Sequence, residues 1–519
     1  MSMVVKNNIP AVYGLGTLNR NSTALSKSLE KVSTGMKINS AADDNSAWSI
    51  SERMRVRIRG LDQADQNTQN GRSLLKVAEG AVQSTVDILK TLKEKAINAA
   101  NDTNTDADRQ TIQKELNQSI DQIDDNANVT YNGKYLVDGS KTTAGSATYT
   151  SMTNQSLSED TVAVTRLVDL KSRAGDSLHI LTTDKLSISF VRGGKTYATT
   201  MNVTSDMKLT DLAKYANLAF AKGQGGSVYS TVTGAYTQYD SDVNTAEGNY
   251  QSALQSMNNV IAAANGNAAI IATAMQQIAQ AADTLAGDLE AAANTLNTSI
   301  ENVAAFSGMV TSTSMIGTGA NGLDVYTVDG TNGITFKAMG SGISNQIAGF
   351  ALSVTDSEGQ VKKTVNAALD AFSESLRAVN QSEDDALTLH VGADPGVAIK
   401  LGLTDMRSEA LGLKGADGTK LDISTQERAN AAISVLDNAI QKALNQQADI
   451  GNIASRLEYT SANLRVASDN VQASESTIRD ADMAKEMTAY TKNNVLLSAS
   501  QSMLSQANQN SMNVMTLLQ

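Results

Sequence analysis

The last 27 residues of the chain, those after Lys492, contain no charged side chain. Apolar residues recur at multiples of seven positions, at Leu497, Leu504 and Leu518, and a second row of the same spacing lies three residues further on, at Ala507 and Val514. Asn, Gln, Ser and Thr are common at the other positions. A helix of this kind cannot bury its stripe against itself and carries no charge to repel an approaching chain. We therefore predict assembly with other chains and not catalysis.

Composition excludes several classes of function. The chain has 519 residues with no Cys, one Trp, two Pro, two His and 4% aromatic residues, so thiol chemistry and disulfides are excluded and metal sites built on Cys or His nearly so. The net charge of −12 argues against nucleic acid as a partner. We find no secretory signal and no apolar run long enough to span a membrane, a pattern that fits a cytoplasmic protein or one exported unfolded.

The first 140 residues or so are predicted to be helical. A 3-4 spacing of apolar residues runs from Leu18 to Met36, and a longer stripe runs from Ile50 to Ala96. Turn and cap residues at 102–106 end the long helix, and a third helix is expected to about Asn126. Residues 1–19 hold one charge, and we expect little fixed structure for them in an isolated monomer.

The middle of the chain, roughly 141–385, differs in character and is rich in Ser, Thr, Gly and Asn. We predict a strand pair at 186–201, helices at 209–222 and 245–308, and further strands at 323–337 and 347–355. A short amphipathic helix is expected at 364–379. Roughly 386–519 is again mainly helical, with a strand pair at 387–401, a long helix from Ser424 and the uncharged tail. The apolar stripe of the long helix is predicted to include Leu436, Ile440 and Leu444.

Four stretches carry a resemblance to a known family: 19–44, 67–81, 405–413 and 475–484, together with the Leu-Leu ending. The first includes Leu25-Ser26-Lys27-Ser28-Leu29-Glu30-Lys31-Val32-Ser33-Thr34-Gly35, and the last reads Glu475-Ser476-Thr477-Ile478-Arg479-Asp480-Ala481-Asp482-Met483-Ala484. The chain resembles bacterial flagellin, the subunit of the flagellar filament, over about half its length. The middle zone shows no such likeness.

The resemblance implies a mainly α fold, in which both termini form a long antiparallel helical rod and a variable outer α+β region is inserted. The expected segments are a filament-core segment (1–44), the N-terminal half of the rod (45–140), the outer insert of one or two domains (141–385), the C-terminal half of the rod with a small hairpin (386–475) and a filament-core helix (476–519). The two terminal segments would be disordered in the monomer and fold on assembly.

The implied function is that of a structural subunit, which polymerises into a hollow helical filament used for swimming. It would be exported unfolded, assembled at the filament tip and located outside the cell. Implied partners are further copies of the chain, the flagellar export apparatus and an export chaperone, and the filament cap and hook-junction proteins.

For the assembly interface, we select apolar residues of both ends: Leu18, Leu25, Leu29, Val32, Leu497, Leu504, Val514, Leu517 and Leu518. The alternative is an ordinary two-helix core inside one monomer. Inter-subunit ion pairs are a further hypothesis for the polar break at 40–44 and the nearby Arg53, Arg55, Arg57 and Arg59, with a solvated charged face as the alternative. Trp48 is interpreted as packing.

One family site departs from its pattern. Flagellins sensed by the flagellin-recognising Toll-like receptor carry an exposed Arg with a Leu four residues later, and the aligned residues here are Thr91 and Lys95. Glu115 matches the acidic contact on the next helix. Because an Arg anchor is lost and a Lys replaces a Leu that would be buried, we predict weak receptor signalling.

We find no catalytic, cofactor-binding or metal-binding motif. Neither His179 nor His390 stands in an H-E-x-x-H pair, and no enzyme activity or cofactor is expected. The Ser/Thr-rich segment from Thr142 to Thr153 could accept O-linked sugar or be a plain polar loop. The alternatives to a filament subunit are a filament-junction protein with similar ends, and an adhesin whose function resides in the insert.

Overall fold

The computed structural model describes residues 8–158, 161, 165–264, 267–301, 327–328, 331–332, 334–338 and 341–517. Long helices make up the terminal regions and most strands lie in the middle, as predicted. The helices are α1 (Ile9–Thr34), α2 (Asn45–Ala99), α3 (Asp106–Ala127), α4 (Leu209–Gln224), α5 (Gly226–Ala263), α6 (Ala268–Glu301), α7 (Lys363–Leu369), α8 (Gln426–Arg479) and α9 (Met483–Leu517).

The strands are short, and they form antiparallel sheets of two or three strands. In chain order they are β1 (Thr130–Tyr131), β2 (Lys134–Tyr135), β3 (Ser151–Asn154), β4 (Lys185–Arg192), β5 (Lys195–Asn202), β6 (Thr327–Val328), β7 (Thr331–Asn332), β8 (Ile334–Lys337), β9 (Ile347–Thr355), β10 (Phe372–Leu376), β11 (Leu387–His390) and β12 (Ala398–Leu401). The sheet orders are β5-β4-β9 and β10-β3-β8, with the pairs β1-β2, β6-β7 and β11-β12.

The chain divides into two compact units. The terminal unit comprises Met1–Ser73, Thr388–Ile399 and Ala454–Gln519, and the central unit comprises Leu74–Leu387 and Lys400–Ile453. In the terminal unit α1 packs against α9, and α2 runs antiparallel to α8. Side chains join α2 to α8 at successive levels, as Arg55 with Glu475, Asp62 with Ser468 and Asp65 with Ser461.

The described part of the central unit contains two groups of buried apolar residues. One lies where α2, α3 and α8 pack, and its buried residues include Leu75, Val82, Leu89, Leu92, Leu116, Ile120, Ile123, Val435 and Leu436. Leu75, Val82, Leu89 and Leu92 in this core belong to the stripe predicted between Ile50 and Ala96. The other core joins the β5-β4-β9 sheet, α4 and the bases of α5 and α6, and its aromatic members are Phe190, Tyr197, Phe220, Tyr236 and Phe350.

Local signals explain several boundaries. Thr105 and Asp108 form a capping box at the start of α3, as the turn residues at 102–106 predict. Asn132 and Gly133 both have positive φ, which suits the two-residue turn between β1 and β2. The region predicted to be helical at 245–308 is divided between α5 and α6, and α5 begins at Gly226, earlier than expected.

Three local predictions need correction. The helix expected at 364–379 ends at Leu369, and β10 follows it because Phe372 packs on Phe350 and the segment pairs with β3. Leu444, expected on the buried stripe of α8, is exposed, while Lys442 and Ala443 are buried. Residues 9–19, for which we expected little fixed structure in an isolated monomer, form the first part of α1. Much of the strand region expected at 323–337 lies outside the described residues.

Candidate assembly surface of the terminal helices

The sequence defines the ends of α1. Asn8 caps the N-terminus by accepting a hydrogen bond from the amide of Ala11 (3.1 Å), and Pro10 stands in the first turn. Gly35 ends the helix in the left-handed conformation (φ 71°), with its amide donating to the carbonyl of Lys31. At the start of α9, the Asp482 carboxylate accepts from the amides of Ala484 and Lys485.

Amide side chains set the register between the antiparallel α1 and α9. Asn21 donates to the carbonyl of Leu496 (3.2 Å) and to the Ser500 hydroxyl (2.7 Å). Further along, Asn8 donates to the carbonyl of Ala507, and Asn493 donates to the Ser28 hydroxyl. Polar residues in a helical seam fix its alignment at a cost in stability. The hydrogen bonds therefore fix the register between α1 and α9, while the seam between the two helices buries little apolar surface.

The predicted interface residues divide between the seam and the surface. Leu18, Leu25, Val32, Leu497 and Leu504 are half-buried, and a Cβ on Gly14 would lie 3.3 Å from Cδ1 of Leu504. Leu29 is 51% exposed. Val514 and Leu517 lie in α9, but their side chains are not described, and Leu518 lies outside the described residues. The first five thus face the partner helix of the same chain.

Further large apolar side chains, outside the predicted interface set, face away from the seam. On α1 they are Ile9, Val12, Tyr13 and Leu15, and on α9 they are Met483, Met487, Val495, Leu496, Met503 and Met512. Val12 is 68% exposed and Met503 is 69% exposed. These residues lie between the heptad rows, so the sevenfold spacing that identified the seam residues does not select them. We call this set the outer apolar face.

The α1–α2 and α8–α9 breaks lie together. Ala481 donates its amide to the carbonyl of Gly35 (2.9 Å), and Lys37 donates its amide to the carbonyl of Arg479 (2.8 Å). Lys37 Nζ also donates to the carbonyl of Thr477 (2.9 Å). These hydrogen bonds hold the connection between α1 and α2 beside the connection between α8 and α9.

Arg479 is buried beside this joint. Its guanidinium lies 4.3 Å from the centre of the Trp48 ring and donates to a carboxylate oxygen of Glu52 (2.7 Å). That hydrogen bond holds the pKa of Glu52 below its usual value. Trp48 therefore packs, as predicted, and it does so through a cation–π contact.

Of the four arginines after the polar break, two pair within the chain. Arg55 pairs with Glu475 (3.1 Å) and Arg57 with Asp394 (3.6 Å). Within the described ranges, Arg53 and Arg59 form no ion pair. In the break itself, backbone amides of Asn39 and Ser40 lower the pKa of Asp43.

The positions that align with the receptor motif lie in the central unit. Lys95 Nζ pairs with Glu115 Oε2 at 2.9 Å, and the Thr91 hydroxyl donates to the carbonyl of Asp87. The acidic group that matches the family pattern is therefore engaged by the lysine that departs from it.

The part of the chain that the structure covers contains no group of three or more His, Cys, Asp or Glu placed to hold a metal ion. Its helices include none long and apolar enough to cross a membrane.

Comparison with known proteins agrees with the terminal architecture. Residues 5–142 match a family model described as the bacterial flagellin N-terminal helical region, and residues 433–518 match the bacterial flagellin C-terminal helical region. A flagellin of Clostridium tyrobutyricum is 29% identical over 98% of this chain and 99% of its own length. A B-type flagellin of Pseudomonas aeruginosa is 28% identical over the full length of both chains. A flagellar filament 33 kDa core protein of Treponema phagedenis is 44% identical over 26% of this chain and 47% of its own.

Proposed function

The chain belongs to the bacterial flagellin family and is a structural subunit of the flagellar filament, and we propose that its outer apolar face makes the contacts between neighbouring subunits. The observation that carries this proposal is the exposure of large apolar side chains on helices with little charge. Val12, Tyr13, Val495 and Met503 are each more than 60% exposed. Surfaces of this kind mark interaction sites.

Burial between subunits offsets the cost of ordering these helices. Ordering one residue costs about 1–2 kcal/mol of backbone entropy, whereas burying one large apolar side chain stabilises by about 1.5–3 kcal/mol. The α1–α9 seam buries little within one chain, since Ser28 is the one buried side chain described on α1. Contacts with neighbouring copies would supply the remaining burial, and a heterologous contact that does not close produces a helical polymer.

Leu18, Leu25, Leu29, Val32, Leu497, Leu504, Val514, Leu517 and Leu518 remain our proposed assembly residues. We assign the half-buried members an indirect role, because they hold α1 against α9 and so position the outer apolar face. Leu29 contacts neighbouring subunits directly in this scheme. The five-segment division at 1–44, 45–140, 141–385, 386–475 and 476–519 is likewise proposed as the functional layout.

Export in an unfolded state and assembly outside the cell, at the filament tip, complete the proposal. A chain with no Cys and two Pro needs no disulfide and has few slow X-Pro isomerisations when it refolds. Met483, Met487, Met503 and Met512 are exposed on α9, and adaptable methionines suit a surface that first binds an export chaperone and later a neighbouring subunit. The export apparatus, cap and hook-junction proteins are the further partners proposed.

Seeded polymerisation of the purified full-length chain tests this function. Sheared filament fragments should elongate to micrometre lengths as monomer is added. Growth that stops after a few subunits would instead indicate a filament-junction protein. Deleting residues 141–385 should leave elongation intact, whereas an adhesin would lose its binding activity with this segment.

Weak signalling through the flagellin-recognising Toll-like receptor is proposed as well. The pairing of Lys95 with Glu115 supports it, because a receptor would have to break this pair to reach the carboxylate. A reporter assay with purified monomer should give a weak response, and the double variant Thr91→Arg, Lys95→Leu should strengthen it. Potent activation by the unmodified monomer would contradict the proposal.

O-linked sugar, if present, is best accommodated at Thr143 and Ser146. These two hydroxyl residues of the Thr142–Thr153 segment are exposed, while Thr150, Ser151 and Thr153 are buried. Mass spectrometry of native filaments would detect the added mass on the peptide that contains them. Modification at Thr150 or Thr153 would contradict this assignment.

A further inference from the structure

The sulfur of this chain is all in methionine. The sequence contains 18 Met and no Cys. Peroxides oxidise exposed sulfur in proteins, and a chain without Cys presents that sulfur only as the methionine thioether. The place of each methionine in the fold therefore decides which sulfur atoms an oxidant reaches first.

The described methionines differ widely in exposure. Met152, Met207 and Met406 lie in the central unit and are at most 3% exposed. Five described methionines are exposed, and all but Met275 of α6 lie on α9. The α9 methionines are Met483, Met487, Met503 and Met512. Exposed thioethers are thus concentrated on one helix of the terminal unit.

Two of these methionines stand in a setting where a polar change matters. Met503 and Met512 are each 69% exposed, and both lie after Lys492, in the part of α9 without a charged side chain. They belong to the outer apolar face together with Val495 and Leu496. The subunit contact proposed for this face depends on burial of apolar surface, which a polar group on either side chain would oppose.

We propose that the α9 methionines are oxidation sites, and that their conversion to sulfoxides blocks addition of the subunit to a filament. The inference rests on the proposed function, since it assumes that the outer apolar face contacts neighbouring subunits. In the reaction with hydrogen peroxide, a lone pair of the methionine Sδ attacks one peroxide oxygen and the O–O bond breaks. The oxygen is transferred to sulfur and water leaves, so the thioether is oxidised as the peroxide is reduced.

The sulfoxide changes what the face can bury. Oxidation turns a flexible apolar side chain into a polar one, and this disrupts methionine-rich interfaces. Assembly closes the same sites, because neighbouring subunits that cover the outer apolar face also exclude the oxidant. The unassembled subunit is therefore sensitive to peroxide, and the α9 methionines of the finished filament are resistant.

Peroxide treatment of full-length monomer and of filaments tests the sites. Peptide mass spectrometry should show sulfoxide at Met503 and Met512 in treated monomer, and far less at these residues in treated filaments. Met275 is the matched control, because it is 60% exposed on a helix of the central unit, and it should be oxidised in both samples. Treated monomer in which Met275 is oxidised while Met503 and Met512 stay reduced would overturn the site assignment.

Seeded elongation tests the consequence. Treated wild-type monomer should elongate untreated seeds at least about tenfold more slowly than untreated monomer, because a polar group enters an apolar contact. Both epimer-specific methionine sulfoxide reductases, with dithiothreitol as reductant, should restore the rate. Met275→Leu should lose elongation on treatment as the wild type does. The double variant Met503→Leu, Met512→Leu should keep a larger fraction of its own untreated rate, since leucine has no sulfur.

The possible failures are distinguishable. Treated wild-type monomer that carries both sulfoxides yet elongates at the untreated rate would overturn this proposal and leave the proposed function intact. The same fractional loss in the double variant as in the wild type would overturn it too, as would a loss that the reductases do not reverse. Failure of untreated wild-type monomer to elongate seeds, or equal oxidation of Met503 in monomer and filament, would instead refute the proposed subunit contact.

Discussion

The aromatic core of the central unit and the α1–α9 pair of the terminal unit represent two ways of organising apolar residues. The central core buries Phe190, Phe350 and Leu352 to 2% exposure or less, and helices and sheets of the same chain surround them. On the α1–α9 pair, large apolar residues such as Val12 and Met503 point outward, while asparagines bridge the seam. The central region buries its large apolar side chains within a single chain, whereas the α1–α9 pair leaves many of its own exposed.

This difference indicates in which region the stability should depend on the concentration of the protein. A core closed within one chain contributes the same free energy of unfolding in the monomer and in the polymer. If the outer apolar face is the contact between subunits, as proposed, the α1–α9 pair gains further burial from other copies, so its apparent stability should rise with assembly. Substitutions in the two regions should therefore affect different measurements.

The largest expected effect is on polymerisation. Val12→Glu places a charge on the outer apolar face, where burial without a partner is costly, and should abolish elongation of seeds. Since Val12 is 68% exposed, circular dichroism and thermal unfolding of the monomer should remain close to the wild type. Ser26→Glu, which adds the same charge at another exposed position on α1, is the matched control. Normal elongation by V12E would break the comparison.

A substitution in the closed core should do the reverse. Phe350→Ala removes a buried ring that packs edge-on against Phe372, with centroids 5.1 Å apart, and should lower the free energy of unfolding of the central unit by about 3–5 kcal/mol. Denaturant unfolding of the monomer measures the loss. Seeds should still elongate with this variant below its melting temperature, because the terminal helices are unchanged.

A buried ion pair sharpens the comparison further. Lys442 on α8 contacts Glu374 on β10 at 3.4 Å, and both side chains are largely buried; burial lowers the pKa of Lys442. Lys442→Ala leaves the Glu374 carboxylate with only Arg377, at 3.7 Å, and should destabilise the central unit by about 3 kcal/mol. The double variant Lys442→Met, Glu374→Leu removes both charges of the pair and should recover part of this loss, with the remainder set by Arg377, which loses Glu374. Equal destabilisation by both variants would show that the charge pairing is not what stabilises this junction.

The smallest effect concerns pH. Hydrogen bonds from the Thr419 amide and from Lys195 lower the pKa of Asp417 to about 2. Because the folded-state pKa lies below the ordinary value near 4, the stabilisation is present above pH 4 and lost as pH falls from about 4 to 2. Asp417 is exposed, so Asp417→Asn should cost only about 0.5 kcal/mol at pH 6. Unfolding curves of variant and wild type should converge near pH 2, and a constant difference across this range would refute the assignment.

The sequence predicted the long helices because their pattern is local. Leu75, Val82, Leu89 and Leu92 recur at helical spacing and all four are buried. The strand β10 was missed because its signal is not local: Leu369, Phe372 and Leu376 have the 3-4 spacing of a helical stripe, and only pairing with β3 makes the segment after Ala371 a strand. Contacts between distant residues override propensity at such positions.

The candidate site was predictable in part for the same reason. Heptad spacing identified Leu497 and Leu504, which lie on the half-buried side of α9. The same spacing cannot report which way the intervening Val495 and Met503 face once α1 occupies the seam. The pairing of Asn21 with Ser500 and the contact of Arg479 with Trp48 join residues more than 400 positions apart, and no spacing rule connects them.

Hydrogen exchange on dilute monomer and on assembled filaments tests the central claim most directly. The account predicts that amides of α1 and α9 exchange quickly in the monomer and become strongly protected in the filament, while amides of β4 and β9 are equally protected in both. Strong protection of α1 and α9 in the dilute monomer, unchanged on assembly, would contradict it.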